Sequence, residues 1–541
     1  MKQAMNQTMI VNRLKLWLTP LLLASFPTLV IYSHNLDQLE LVRTAVPLLY
    51  SLGFVGVSGL VALAIFKSHR QASLFTSLWV VLFFSYGYFY LKLGEVALIQ
   101  SLPVGLNLML LGAYAVILIG VGWLLSHRPL PKKLADLPKV IAITLLLLNA
   151  WLIVPFVWQR FQASKQLGQY LADNPVVGQE LVEPTVKPDI FYVVFDRYAR
   201  QDVLAEQFDF DNEPTLRQLE TAGFLVGRQS FANYPNTFLS LSSSLNMRYL
   251  DFLPELLGPT HYDRVSVYQR LIQNNEVARL LKSQGYQYVL AGSFWDPSKT
   301  SPIADQNHNL FKNFDEFQLY IYERTLWNTL RGLIENRQLY TGVELLERMS
   351  QNLDFRLNGL KKQVNDDQPQ FVLAHFLLPH EPRVFTADCL PMEFDEIRKL
   401  TDEQGFLLET ACANTIINEL TTYIQDRVTR PTIIIFQADE GPYLPAEYFD
   451  INEEIVPDDL LAYHIHTAIL NAIYLPNKEN PNQPANYQQL GLDESFSPVN
   501  TFRVIFNYYF GTELPILDNR SYLFTGTQEP YNFKEITPVL N

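Results

Sequence analysis

Five apolar stretches fill the first third of the chain: Leu16–Ser33, Ala45–Phe66, Ser73–Leu91, Leu102–Leu125 and Val140–Trp158. None of them contains a charged residue. A helix needs about 20 predominantly apolar residues to cross the hydrocarbon core of a bilayer. In lipid every backbone polar group must be satisfied within the protein, and a helix does this residue by residue. Buried helices of a water-soluble globule seldom supply five uncharged runs of this length in 160 residues, so the pattern predicts a five-span membrane domain over residues 1–158. The first run is followed by four others and not by a mature domain, which excludes a cleaved leader as its reading.

Charge divides the chain at the same place. Residues 1–160 carry a net +8 and residues 161–541 a net −22, within a total of −14 over 541 residues. That acidity argues against non-specific nucleic-acid binding. Two cysteines exclude both a disulfide scaffold and a Cys-rich zinc domain. Lys2, Arg13 and Lys15 precede the first run, Lys67 and Arg70 separate the second and third, and Arg128, Lys132, Lys133 and Lys139 separate the fourth and fifth. Positive charge collects on the cytoplasmic side, so the N-terminus is expected inside and everything after Trp158 outside. No ionisable group interrupts a span, which speaks against ion or proton transport and for an anchor. Residues 159–186 read as a connecting segment whose first half continues the fifth helix until Asn174-Pro175 breaks it.

Residues 187–541 read as one large α/β domain. Ile190–Phe195, Tyr286–Ala291, Phe371–Phe376 and Thr432–Phe436 are short apolar runs rich in strand formers. Segments of helical spacing such as Glu213–Ala222, Leu326–Leu346 and Leu407–Val428 lie between them. Alternation of this kind predicts a mainly parallel sheet covered on both faces. Ligands of such sheets bind at the carboxyl ends of the strands. Asp196 ends the first run, Asp439-Glu440 follows the last, and a third leads through His375 into Pro379-His380-Glu381-Pro382. Acids and histidines meeting at one sheet edge suit a hard divalent cation, although strand-end acids also serve solubility and helix capping. In Pro235-Asn236-Thr237-Phe238-Leu239-Ser240 the threonine opens an apolar helix. Its hydroxyl sits either in the positive end of the helix dipole or as a simple N-cap. His464 and His466 flank Ile465 with strand-like alternation, which would turn both to one side.

The order of these motifs resembles the alkaline phosphatase superfamily. Within it, five spans followed by an outer domain resemble the sulfatase-like membrane proteins, which include lipoteichoic acid synthases and phosphoethanolamine transferases. The resemblance implies an alkaline-phosphatase-like fold with Thr237 as nucleophile, and Asp196, Thr237, Asp439 and Glu440 as ligands of one divalent metal. It also implies that His380 faces the transferred group. Three carboxylates with an alkoxide form a hard set, from which Mn²⁺ or Mg²⁺ is expected over Zn²⁺. Two positions depart from the family pattern: Arg197 stands where glycine is usual, and Glu440 where histidine is common. The Cys/Ser-x-Pro-x-Arg signature of formylglycine sulfatases is absent. Arg197, Trp295, His308 and Arg383 are further substrate-side candidates, Arg197 alternatively neutralising nearby acids. Cys389 and Cys412 are a candidate disulfide, free thiols being the alternative.

The expected function is therefore transfer of a phosphorus-containing group, by way of a phospho-threonine. The donor is expected to be a membrane lipid or lipid-linked phosphodiester, and the acceptor a hydroxyl of an envelope glycan, lipid or polymer. A phosphodiesterase and a catalytically degenerate binding protein are the alternatives.

Overall fold

The computed structural model describes residues 2–96, 105–128, 131–178, 181–184, 186–261, 263–313, 315–335, 343–446, 459–524 and 529–540. The chain divides into two compact units. The first comprises Met1–Arg160 with Asp315–Thr341, and the second Phe161–Phe314 with Gly342–Asn541.

In the first unit the five apolar runs form helices α1 (Lys2–Ser33), α2 (Ala45–Phe66), α3 (His69–Gly94), α4 (Leu106–His127) and α5 (Lys132–Asp173). All five are long and apolar enough to cross a membrane. Residues 102–104 of the fourth run lie outside the described residues. Polar side chains bond helix to helix: Ser73 Oγ donates to Leu16 O at 2.5 Å and Ser33 Oγ to Asn149 Oδ1 at 2.8 Å. Phe54 of α2 stacks on Phe83 of α3 with centroids 4.1 Å apart. Helix α5 has 42 residues, about 63 Å at ~1.5 Å per residue, roughly twice the hydrocarbon thickness. Its last part, from Phe161, belongs to the second unit; the start of the expected connecting segment is thus a helical extension, ended before Pro175.

The second unit holds a seven-stranded sheet of order β2-β7-β6-β1-β5-β3-β4. The four strands read from sequence are β1 (Asp189–Phe195), β3 (Gln287–Ala291), β5 (Gln370–Phe376) and β6 (Thr432–Ala438). To these are added β2 (Leu225–Val226), β4 (Gln306–Asn307) and β7 (Asn471–Tyr474). Strand β1 runs parallel to both β5 and β6 at the centre, and β7 is antiparallel to β6. Every residue of β1 is buried, because both faces of the sheet are covered. With side chains alternating between faces, Ile190, Tyr192 and Val194 enter one core layer while Phe191, Val193 and Phe195 enter the other. Helix α6 (Thr237–Ser244) contributes Phe238, Leu239 and Leu241 to the first layer. A separate ribbon pairs β8 (Tyr522–Phe524) with β9 (Phe533–Glu535).

Two local expectations change. His464 and His466 lie on a helix, Leu460–Thr467, and not on a strand; two residues apart on a helix they diverge instead of sharing a side. The helical reading of Leu326–Leu346 holds over Leu326–Glu335, residues 336–342 lie outside the described residues, and the segment Asp315–Thr341 clusters with the membrane unit. Sequence reading places it inside the outer domain, since its flanking residues belong there.

Candidate functional site

Strand register assembles the site. Val194 lies opposite His375 of β5 and Gln437 of β6. The two-residue period carries that shared face from Val194 on to Asp196 and from Gln437 on to Asp439. Asp196, His375 and Asp439 thus meet at the carboxyl edge of the sheet, with one ligand atom from each within 4.8 Å of the others. His375 Nε2 is 3.7 Å from Asp196 Oδ2 and 3.9 Å from Asp439 Oδ2. Helix α6 packs on the same face, and Thr237 opens it. Asn236 takes the cap, its side chain accepting from Leu239 N at 3.0 Å, so Thr237 is not spent on capping, and it lies close enough to Asp439 to lower the pKa of that carboxyl.

All of this is buried. Asp196 is held well above the usual carboxylate range, first by burial and then by the charges of Asp439 and Glu440. Asp439 is pushed up to about 6 by burial, against the nearby Thr237 side chain and the hydrogen bonds from the backbone N–H of Arg197 and Glu440. Burial, aided by the Arg356 charge, pulls His375 down to about 3, so its ring is neutral and has a lone pair to offer. Asp196 Oδ1, Asp439 Oδ2 and His375 Nε2 are buried atoms with no hydrogen-bond partner. Two crowded carboxylates and a neutral imidazole with inward-facing acceptors fit a divalent cation, which would offset the burial that raises both acids and the repulsion that adds to it at Asp196. Ser298 Oγ lies 2.7 Å from His375 Nδ1 and 2.9 Å from Ser293 Oγ. With Nδ1–H donating to Ser298, Nε2 is left to face the acids. Arg356 donates to the carbonyls of His375 and Ala291, fixing the strand end from behind.

Glu440, one residue past Asp439, belongs to a neighbouring charge network. Its Oε1 is 3.4 Å from Arg197 Nε and its Oε2 3.7 Å from His466 Nε2. Arg197, in the left-handed region with φ 66°, also reaches Glu381 Oε2 at 2.8 Å and lies over the Tyr443 ring. Glu381 joins Arg197 to Arg383, whose Nε donates to Pro379 O at 3.2 Å. His380 sits half-exposed beside them, bonded through Nδ1 to Glu381 O. The loop is pinned from below by Glu409, which accepts from Val384 N at 2.6 Å and Phe385 N at 3.2 Å. Cys389 and Cys412 are bonded to each other, tying the loop to the helix Asp402–Arg427.

The remaining candidates separate. The Trp295 ring meets His375 edge-on at 5.7 Å. His308 bonds Gln306 and Gln363 beside the edge strand β4, and among the described residues no hydrogen bond or ion pair joins it to the cluster. His464 pairs with Asp202 at 2.7 Å, whereas His466 is fully buried, bonding Pro235 O at 2.8 Å. His375, which the sequence places with the acids at the sheet edge but the resemblance leaves out of the ligand set, shares parity with Asp196 across the β1–β5 pair.

Known proteins bear on this geometry as follows. The sulfatase family model matches residues 188–467, just over half of the chain. No curated protein sequence matches. Among solved structures, the zinc-complexed C-terminal periplasmic domain of EptC from Escherichia coli is 12% identical. The match covers 65% of this chain and 93% of that one, with a TM-score of 0.39. The integral membrane lipooligosaccharide phosphoethanolamine transferase A of Neisseria meningitidis is 12% identical, covering 91% and 95% at a TM-score of 0.37. The periplasmic domain of phosphoethanolamine transferase EptC from Campylobacter jejuni is 12% identical, covering 61% and 92% at 0.35. The matched span contains Asp196, Thr237, His375, Asp439 and the strands that carry them, and the chain belongs to the sulfatase family, as a member with five helices long and apolar enough to cross a membrane.

Proposed function

We propose that this enzyme transfers a phosphorus-containing group from a lipid or lipid-linked donor to a hydroxyl of an envelope glycan, lipid or polymer. A phospho-threonine on Thr237 is the intermediate. The observation that carries this reading is Thr237, set at a helix N-terminus and next to Asp439, whose carboxylate lies with Asp196 and His375. Residues 1–158 serve as the anchor and residues 187–541 as the catalytic domain. The basic loops of the spans put the N-terminus in the cytoplasm and the catalytic domain on the outer face.

Asp196, Asp439 and His375 would hold the divalent cation, with Thr237 oxygen alongside. A bound cation supplies charge neutralisation and polarisation of a phosphoryl oxygen. Asp439, next to Thr237, is placed to orient the hydroxyl as nucleophile, and the α6 N-terminus favours negative charge on that oxygen and on the incoming group. His380, reachable from solvent, serves the leaving oxygen as a proton donor. Arg197 and Arg383 hold the loop that presents His380, and Trp295 walls the His375 side. The preference for Mn²⁺ or Mg²⁺ rested on three carboxylates. An imidazole in the cluster, with Glu440 3.4 Å from Arg197, makes a softer set than three carboxylates, and it suits Zn²⁺ as well as Mn²⁺.

The test uses the full-length protein in detergent with bis(4-nitrophenyl) phosphate as the donor probe. Thr237→Ala is expected to abolish turnover while keeping the melting temperature and most of the bound metal. Mass spectrometry of the wild type quenched during turnover should find the modified peptide at Thr237. Wild-type turnover by Thr237→Ala would sink the reading.

A further inference from the structure

The segment Asp315–Glu335 interrupts the sequence of the outer domain yet packs with the membrane helices. It forms two helices, α7 (Glu316–Glu323) and α8 (Leu326–Glu335). Phe317 and Ile321 of α7 are buried against Tyr32 of α1 and Ile153 of α5. Leu326 of α8 is buried with Leu82 and Tyr86 of α3 and with Leu110 and Tyr114 of α4. Arg43 lies 3.7 Å from Asp315, whose carboxylate caps α7 by accepting from Phe317 N at 3.0 Å.

The turn between the two helices docks on a glycine. Gly87 N, in the C-terminal third of α3, donates to Arg324 O at 2.8 Å. A Cβ on Gly87 would lie 2.6 Å from Arg324 Cα, so no other residue lets the turn approach so closely. Gly87 precedes the end of α3 at Gly94 by seven residues, about 10 Å at ~1.5 Å per residue. Helix α3 is 26 residues long, about 39 Å, so a hydrocarbon core of ~30 Å centred on it reaches the level of Gly87. Irregular backbone at that depth must be satisfied by protein. Thr325 N bonds Tyr322 O at 3.0 Å, and Arg324 O is met by the Gly87 N–H.

At 100° per residue the apolar residues of α8, Leu326, Trp327, Leu330, Leu333 and Ile334, fall within an arc of about 120°. The spans cover only part of that arc. Trp327 is 49% exposed and Ile334 77% exposed. On the spans at the same end, Tyr88, Phe89, Leu91 and Leu108 are exposed as well, so α8 and the spans it packs on both leave apolar side chains uncovered there.

We propose that Asp315–Glu335 is an in-plane membrane anchor. Its helices lie at the acyl–headgroup boundary of the leaflet on the outer domain's side, with Trp327 and Ile334 in contact with phospholipid and the Arg324 turn locked on Gly87. Spans one, three and five must exit on the same side, which fixes the leaflet. The proposal is independent of the chemistry at Thr237.

Cys389 and Cys412 are bonded to each other and no free cysteine exists among the described residues, so one introduced cysteine is the only ready thiol. Full-length Trp327→Cys and Ile334→Cys, carrying a bimane label in phosphatidylcholine/phosphatidylglycerol vesicles, are read by nitroxide quenchers at set acyl depths and by aqueous iodide. Leu147→Cys on α5 and Glu403→Cys on the outer domain are the deep and aqueous references. The expected result is maximal quenching by shallow acyl nitroxides and several-fold less iodide quenching than at Glu403→Cys. Labels at both positions that match the Glu403→Cys profile overturn the anchor. Adding Gly87→Leu should move both labels toward the aqueous profile while the Leu147→Cys label stays deep; labels unmoved by it overturn the docking on Gly87.

Discussion

At the scale of single residues, neighbours in sequence have been given opposite duties. Asp439 faces the His375 cluster, and Glu440 faces Arg197 and His466. Ser298 belongs to no motif, yet it bonds the one ring nitrogen of His375 that is turned from the acids. Ser298→Ala should therefore weaken metal affinity by about 10–100-fold, measured by competition with a chelator, with little change in melting temperature. Glu409 offers a pH test away from the cluster. Burial holds its carboxyl well above the usual range, against the Val384 and Phe385 N–H bonds and the nearby Arg383 charge, with Glu381 adding to the rise. A raised folded value means that its stabilisation is complete below the unfolded value and is lost as pH rises through the folded one. Glu409→Gln keeps the acceptor oxygen and removes the titration. Its melting temperature relative to wild type should thus be higher at pH 8 than at pH 5; a pH-independent difference would refute the assignment.

At the scale of elements, caps and ties position what the residues do. The Asn236 cap fixes where α6 begins and hence where Thr237 points. Asn236→Ala should lower stability by about 1 kcal/mol and lower turnover more than that loss of folded protein explains. The Cys389–Cys412 bond closes a separation of 23 residues. Replacing both by serine should reduce the unfolding free energy by about 3 kcal/mol in the loop-entropy model, read by urea titration. Elements also mark where sequence reading succeeds. The central strands β1, β5 and β6 are continuous apolar runs because both faces are buried, and such runs are legible. Two-residue strands such as β2 and β4 have no period to read. His464 and His466 mimic strand alternation over three residues, too few to distinguish a period of 2 from one of 3.6.

At the scale of the whole molecule, the cluster couples metal to folding. With a cation absent, two crowded acids and a neutral imidazole are left to oppose burial in the native state. A chelator should lower the melting temperature of the outer domain in the full-length protein, and Zn²⁺ or Mn²⁺ should restore it. Equal melting with and without chelator would count against a metal at Asp196, His375 and Asp439. The sequence by itself determined the five spans, the parallel core strands and the acids at their ends, since hydrophobic run length and strand-end position are local properties. Only the tertiary structure decided that His375 joins Asp196 and Asp439 while Glu440 turns to Arg197, and that Asp315–Glu335 returns to the spans. Those outcomes depend on register between strands far apart in the chain and on one glycine that admits a backbone, and no local pattern records either.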